Sequence, residues 1–148
     1  MGKFQAAVFD PRLIVLQIVC VQCSYYLVYG LVLLAAHLLF GTEVSLAHFF
    51  TDTYINYSSG WPDVFASVIS AVAAAVFMAV IVERAKKCLD FTLTLFLFHF
   101  LGCLIYRGFP TSSEWWTVNL FCLVVTVLLA EYLCVRKEME DIPMLDLL

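Results

Sequence analysis

Six polar side chains stand within the long apolar runs of this sequence, where contact with hydrocarbon is costly. They are Gln17, Gln22, Asp90, His99, Asn119 and Glu131. Polar groups inside a membrane commonly line a transport path, relay protons or bind a partner, so each one is a functional candidate. A proton or ion path through Asp90, His99 and Glu131 is the most specific chemistry that these residue types suggest.

Helical spacing argues against a single relay through these groups. Asp90 and His99 are nine residues apart, which at about 100° per residue places them on opposite faces of one helix. We expect His99 to point into the protein, since it shares a face with Thr92, Phe96, Cys103 and Tyr106. The alternative that we favour is structural pairing with basic residues: Asp90 with Arg12, Lys86 or Lys87, and Glu131 with Arg136 or a neighbouring helix.

Signatures of catalysis, metal binding and nucleotide binding are missing from the sequence. It contains no glycine-rich phosphate loop, nucleophile elbow or paired catalytic carboxylates. The three histidines, His37, His48 and His99, lie in different segments, and Cys20 and Cys23 have CxxC spacing only, inside an apolar run. We therefore expect no enzyme, no metal or other cofactor and no nucleic-acid partner.

Lipid-embedded helices must position these residues, because the chain is too apolar for a soluble domain. Of its 148 residues, 64% are hydrophobic and only 14% are charged. The apolar residues form runs long enough to cross a bilayer as helices. We predict an all-α fold, a four-helix transmembrane bundle forming one membrane domain with both termini cytosolic. Its spans cover about 13–40, 64–82, 89–106 and 115–135, and its lumenal loops cover 41–63 and 107–114.

Two features of the spans predict how they sit in the bundle and the bilayer. Small residues recur every fourth position in the second span, at Ser67, Ala71, Ala75 and Ala79, which permits close helix packing. The fourth span opens with Trp115 and Trp116, a pattern typical of anchors at the membrane interface.

The first loop carries signals of its own. Ser45 is a candidate N-cap for a short helix on the membrane surface, with Leu46, Phe49, Phe50 and Tyr54 as its apolar side. Asn56 begins a glycosylation sequon that lies close to the second span, and we expect it to be unmodified. Cys88 and Cys134 border the spans and are candidates for palmitoylation, although an idle thiol is commoner at such positions, and we expect no disulfide.

Basic residues predict the orientation, because Lys and Arg in short loops stay on the cytosolic side. Seven of the eight fall before the first span, between the second and third, or after the fourth: Lys3, Arg12, Arg84, Lys86, Lys87, Arg136 and Lys137. Only Arg107 falls on the other side. The charges therefore predict cytosolic termini and lumenal loops.

Distinctive strings recur at the edges of these spans. The first half contains Phe9-Asp10-Pro11, Leu13-Ile14, Gln17-Ile18-Val19 and Gln22 with Tyr25-Tyr26. The second half contains Lys87-Cys88-Leu89-Asp90-Phe91-Thr92, Phe98-His99, Leu101-Gly102-Cys103, Phe109-Pro110, Trp115-Trp116 and Glu131-Tyr132-Leu133-Cys134, then Arg136, Glu138, Ile142 and Pro143. In order and spacing, these strings resemble the Sys-one family of Golgi membrane trafficking proteins over nearly the whole chain except residues 41–63.

This resemblance implies a multi-pass protein of the Golgi membrane that docks an Arf-related small GTPase on the trans-Golgi. In the family, the GTPase's acetylated N-terminus is part of what is recognised, and an Arf-like GTPase and GRIP-domain golgins follow in endosome-to-Golgi vesicle transport. For this chain we expect a cytosolic docking surface made of Asp10, Pro11, Arg12, Lys86, Lys87, Asp90, Glu131, Arg136 and Glu138. The rival hypotheses are a membrane scaffold without a GTPase partner, and a small transporter or channel subunit that uses Gln17, Gln22, His99 and Glu131.

Overall fold

The fold is a bundle of four long α-helices with no strand in its described residues. A computed structural model describes residues 10–56 and 58–140. The long helices are α1 (Pro11–Phe40), α3 (Trp61–Ile81), α4 (Ala85–Tyr106) and α5 (Ser113–Glu140), while α2 (Ala47–Phe50) is short and precedes a 3-10 turn at Asp52–Tyr54. All four long helices are long and apolar enough to span a bilayer. The predicted fold class, an all-α four-span membrane bundle, is confirmed.

Some residues used above lie outside the described part of the chain. They are Lys3, used for orientation, Tyr57 of the sequon, and Phe9, Ile142 and Pro143 of the family-like strings.

Local chemistry sets where α1 begins and ends. The Asp10 side chain accepts a hydrogen bond from the Arg12 backbone N–H at 3.0 Å, and Pro11 occupies the first helical position, where no intrahelical donor is needed. At the other end Gly41 adopts φ of 68°, and both its N–H and that of Thr42 point to the His37 carbonyl. A left-handed residue that closes a helix in this way is best supplied by glycine.

Helix α3 is the centre of the bundle and packs along both α1 and α5, whereas α4 packs mainly on α5. Its row of small residues is buried as predicted, at Ser67, Ala71, Ala75 and Ala79. Small side chains let the backbones approach closely, and Thr126 of α5 donates a hydrogen bond to the Ala71 carbonyl at 3.2 Å. The backbones of α1 and α4 approach each other at few positions, which leaves a seam between these two helices that side chains bridge deeper in the bundle.

The two ends of the bundle are defined by contacts between helices. At one end, Gln17 of α1 donates to the Ile81 carbonyl of α3 at 2.9 Å, and Lys137 of α5 pairs with Glu83 at 2.6 Å. We call this end, with Asp10, residues 82–84 and Glu140, the terminal end. The opposite end carries residues 41–56, 58–60 and 107–112, and we call it the loop end.

Residues 47–50 do not form the surface helix that the sequence suggested. The N-cap of α2 is Leu46 and makes no side-chain bond, so Ser45 is not the cap. Phe49 packs edge-on against Tyr29 of α1 at a ring separation of 5.1 Å. Phe50 meets α4 at Gly102, where an added Cβ would lie 2.9 Å from the Phe50 ring. These aromatic side chains therefore turn into the bundle and close its loop end.

Trp115 is also placed differently from the prediction. It is buried and stacks on the His99 ring, with 6.3 Å between ring centroids and 12° between planes. Trp116 points outward and donates its Nε1–H to the Pro110 carbonyl at 3.1 Å. Of this pair, Trp116 is placed like an interfacial anchor, whereas Trp115 is a core residue packed against His99.

Candidate functional site

Three residues of the predicted docking surface lie at the start of α1. Asp10 and Pro11 both serve the helix start, the first as its cap and the second at its first position. Arg12 is exposed, and its backbone N–H is the donor to the Asp10 carboxylate. The three residues lie together at the terminal end, and the capping contact gives Asp10 a structural role.

A groove opens at the seam between α1 and α4. Its volume is about 330 Å³, and it is lined by Ile14, Ile18, Lys87, Asp90, Phe91 and Thr94. The walls supplied by Ile14, Ile18 and Phe91 are apolar, while Lys87 and Asp90 place opposite charges at the groove. The structure therefore joins two predicted site residues, Lys87 and Asp90, to apolar residues that were not predicted as part of the site. Lys86 is exposed beside them on α4.

The acidic residues of the predicted surface do not form the ion pairs that we favoured from sequence. Within the described residues, Asp90 makes no ion pair with Arg12, Lys86 or Lys87, and Glu131 makes none with Arg136. Arg136 lies instead 3.4 Å from Glu140, one helical turn away in α5. Asp90 is exposed on α4, so its carboxylate is available to a partner.

Glu138 has a structural partner that the sequence did not predict. Its Oε1 accepts a hydrogen bond from the Ala85 backbone N–H at 3.1 Å, at the first residue of α4. The preceding residue of α5, Lys137, pairs with Glu83, which adopts φ of 57° in the tight turn between α3 and α4. A carboxylate at a helix N-terminus satisfies an otherwise unpaired donor, so Glu138 helps to hold α4 against α5.

Cys88 and Cys134 are not placed for lipid attachment. Both are fully buried, and their sulfur atoms face each other across the α4–α5 contact at 3.3 Å. An acyltransferase needs an exposed thiol. The buried positions of Cys88 and Cys134 therefore argue against palmitoylation and favour the alternative of an unmodified thiol.

Three of the polar side chains within the spans contact a neighbouring helix, whereas Asn119 donates to the Trp115 carbonyl of its own helix at 2.9 Å. Gln17 donates to the Ile81 carbonyl, and Gln22 donates to the Leu95 carbonyl at 3.4 Å. His99 is buried as predicted, with its Nδ1 3.2 Å from the Tyr26 hydroxyl. Hydrogen bonds between spans stabilise a bundle in lipid, so the contacts of Gln17, Gln22 and His99 give these three side chains a structural role.

A second polar cluster lies at the loop end. His37 of α1, His48 of α2 and Asp63 of α3 are all buried, and one potential ligand atom from each lies within 4.8 Å of the others. His48 Nδ1 is 2.9 Å from Asp63 Oδ1. Sequence reasoning missed this cluster because it treated separation along the chain as separation in space. The available signal was that His37 and Asp63 flank the same loop at the ends of adjacent spans.

Comparison with known proteins gives a consistent family match. The profile described as "SYS1: Integral membrane protein S linking to the trans Golgi network" matches residues 4–144. The chain is 36% identical to the protein SYS1 homolog of Nematostella vectensis over 141 residues, which is 94% of this chain and 90% of that one. It is 37% identical to the protein SYS1 homolog of Dictyostelium discoideum over 138 residues, which is 92% of this chain and 60% of that longer one. No solved structure matches the chain.

Proposed function

The chain belongs to the SYS1 family of integral membrane proteins linking to the trans-Golgi network, and from this premise we propose that it docks an Arf-related small GTPase at the Golgi membrane. In this proposal the terminal end faces the cytosol, both termini included. The docked GTPase then supports recruitment of an Arf-like GTPase and golgins for endosome-to-Golgi transport.

The observation that carries the proposal is the groove between α1 and α4. Its apolar walls and its two charged residues suit a peptide segment that is largely apolar and enters from the membrane surface. We assign the groove to the N-terminal segment of the GTPase. Acetylation removes the positive charge of that terminus, so the segment enters without the cost of burying an unpaired ammonium group.

The exposed charges around the groove give the docking its orientation. Lys86 and Lys87 attract acidic groups of the GTPase and of the cytosolic lipid leaflet, while Asp90 has no ion-pair partner within the described residues. Glu138 has a smaller part in this revised surface, because it caps α4. The proposed contacts are therefore Arg12, Lys86, Lys87 and Asp90 around the apolar wall.

A pair of adjacent substitutions tests the groove. Ile18 lines it, whereas Val19, the next residue, is 52% exposed on the outside of α1. Full-length protein in nanodiscs is titrated with the acetylated, GTP-loaded Arf-related GTPase. Ile18→Trp fills the groove and is expected to weaken binding roughly tenfold or more, whereas Val19→Trp binds like the wild type. A second titration with the charge reversal Lys87→Glu should also show weaker binding.

Three outcomes contradict parts of this proposal. If Ile18→Trp binds like Val19→Trp, the groove is not where the GTPase docks. If the GTPase keeps its Golgi localisation in cells without this protein, the receptor function itself is wrong. If liposomes containing the protein pass ions and replacement of His99 abolishes the flux, the transporter hypothesis is favoured instead.

A further inference from the structure

Three buried side chains from three separate elements converge at the loop end of the bundle. His37 lies in the last turn of α1, His48 in α2 and Asp63 in the first turn of α3, with exposed fractions of 4%, 8% and 3%. Two imidazoles and a carboxylate are a usual protein donor set for Zn²⁺. Buried polar groups need partners, and here His48 and Asp63 contact each other at 2.9 Å with His37 beside them.

The spacing of the donor atoms is close to what a zinc ion needs. One potential ligand atom from each residue lies within 4.8 Å of the others. Zinc ligands at about 2.0–2.1 Å in a tetrahedron stand roughly 3.3 Å apart, so the atoms need to approach by no more than about 1.5 Å. His48 Nδ1 and Asp63 Oδ1 are already 2.9 Å apart, and a bound ion would replace the proton that they share.

A backbone contact orients the third ligand. The Nδ1 of His37 lies 2.9 Å from the Leu33 carbonyl, so Nδ1 carries the proton and Nε2 keeps its lone pair. Histidines that bind metals typically donate their second ring N–H to a carbonyl or carboxylate in this way, which fixes the tautomer and the ring orientation. The helical carbonyl one turn before His37 provides this support.

An ion can also reach the cluster from outside the bundle. All three residues line an open cavity of about 540 Å³ at the loop end. Its rim includes the exposed carboxylate of Glu43 and the polar residues Thr42 and Ser59, which suit a hydrated cation. The same cavity leaves room for a water molecule as the fourth ligand.

We propose that His37, His48 and Asp63 form a binding site for one Zn²⁺ ion at the loop end of this protein. The ion would tie α1, α2 and α3 together and hold the aromatic side chains of α2 in the bundle. Three protein ligands from three segments would cross-link the chain, so metal binding would stabilise the folded loop end. The site lies at the opposite end of the bundle from the docking groove. The zinc proposal therefore does not depend on the proposed docking function.

Metal titration of the purified protein tests the site directly. Full-length protein, free of any polyhistidine tag and stripped with a chelator, is titrated with Co²⁺, which takes the geometry of Zn²⁺ and absorbs visible light. We expect one Co²⁺ per chain with tetrahedral absorption bands, and their loss on adding Zn²⁺. The Asp63→Ala variant should bind at least roughly tenfold more weakly, as should His37→Ala. The matched control His99→Ala removes a buried histidine outside the cluster and should retain binding.

A variant with a new absorption band distinguishes loss of a metal ligand from misfolding. His37→Cys keeps a ligand at this position and should add a thiolate-to-cobalt charge-transfer band in the near ultraviolet. Zn²⁺ should also raise the thermal unfolding midpoint of the wild type by several degrees and leave that of Asp63→Ala unchanged. The proposal is overturned if folded wild-type protein shows no saturable binding of Co²⁺ or Zn²⁺ at micromolar concentrations, or if His99→Ala loses binding as His37→Ala does.

Discussion

Enlarging one buried alanine of α3 should strongly destabilise the bundle. Ala75 is fully buried in the row of small residues along the central helix. The Ala75→Leu substitution adds three carbon atoms where α3 packs between its neighbours. In water, extra buried carbons would bring some hydrophobic gain, but the lipid around this bundle is as apolar as leucine, so that compensation is missing. The cost of overpacking is then about 2 kcal/mol, or up to a 30-fold shift in the folded-to-unfolded ratio.

The same substitution at an outward position is the control. Ala35 is exposed on α1, where an added side chain extends into lipid, and Ala35→Leu should change stability by less than about 0.5 kcal/mol. Both variants are unfolded reversibly in mixed detergent micelles with increasing dodecyl sulfate, followed by far-ultraviolet circular dichroism. Equal destabilisation by Ala75→Leu and Ala35→Leu would refute the central position of α3 and the packing described for its small residues.

Three further predictions follow from single contacts. The Asp52 carboxylate accepts the backbone N–H groups of residues 111 and 112 at 2.9 and 3.1 Å, so Asp52→Ala should destabilise the bundle by about 1–3 kcal/mol in the same unfolding assay, and an unchanged midpoint would contradict this tether. Gly102→Val should displace the Phe50 ring and lower the thermal midpoint, whereas the double variant with Phe50→Ala should recover part of the loss. Mild oxidation with copper phenanthroline should link Cys88 to Cys134, seen as a cross-linked peptide by mass spectrometry, and its absence would place the two thiols further apart than 3.3 Å.

Features that repeat along the sequence could be predicted from it. The length of the apolar runs predicted four spans because bilayer thickness fixes the length of a crossing helix. The row from Ser67 to Ala79 was found because helical periodicity places every fourth residue on one face. His99 was predicted to face inward for the same reason. The cytosolic orientation of the termini stays a prediction. It was argued from the positions of basic residues, and no contact within the bundle tests it.

The parts that sequence could not predict depend on neighbours brought together only by folding. Trp115 and Trp116 are adjacent and chemically alike, yet the His99 ring on α4 makes one of them a core residue. Glu138 looks like a free surface charge in the sequence, but the turn after α3 brings the first N–H of α4 to its carboxylate. No local pattern encodes either contact.

The loop segment was the least predictable part of the site. Residues 41–60 have no sustained periodicity, so nothing in their order indicates that His48 turns inward to meet Asp63. The groove was likewise found only in part. Lys87 and Asp90 were named for their charge, whereas Ile14 and Ile18 were quoted only within family-like strings, and it is the seam between α1 and α4 that makes them groove residues.

The contacts of α2 also bear on the order in which the protein is assembled. Helices enter a membrane in chain order as they are synthesised, so residues 47–50 emerge before their partner Gly102 on α4 exists. The tether from Asp52 to residues 111 and 112 requires a still later segment. The first loop must therefore wait for more than fifty residues of synthesis before it can settle. Closure of this loop therefore reports that α4 and residues 111 and 112 have joined the first two spans, and all of these partners precede α5 in the chain.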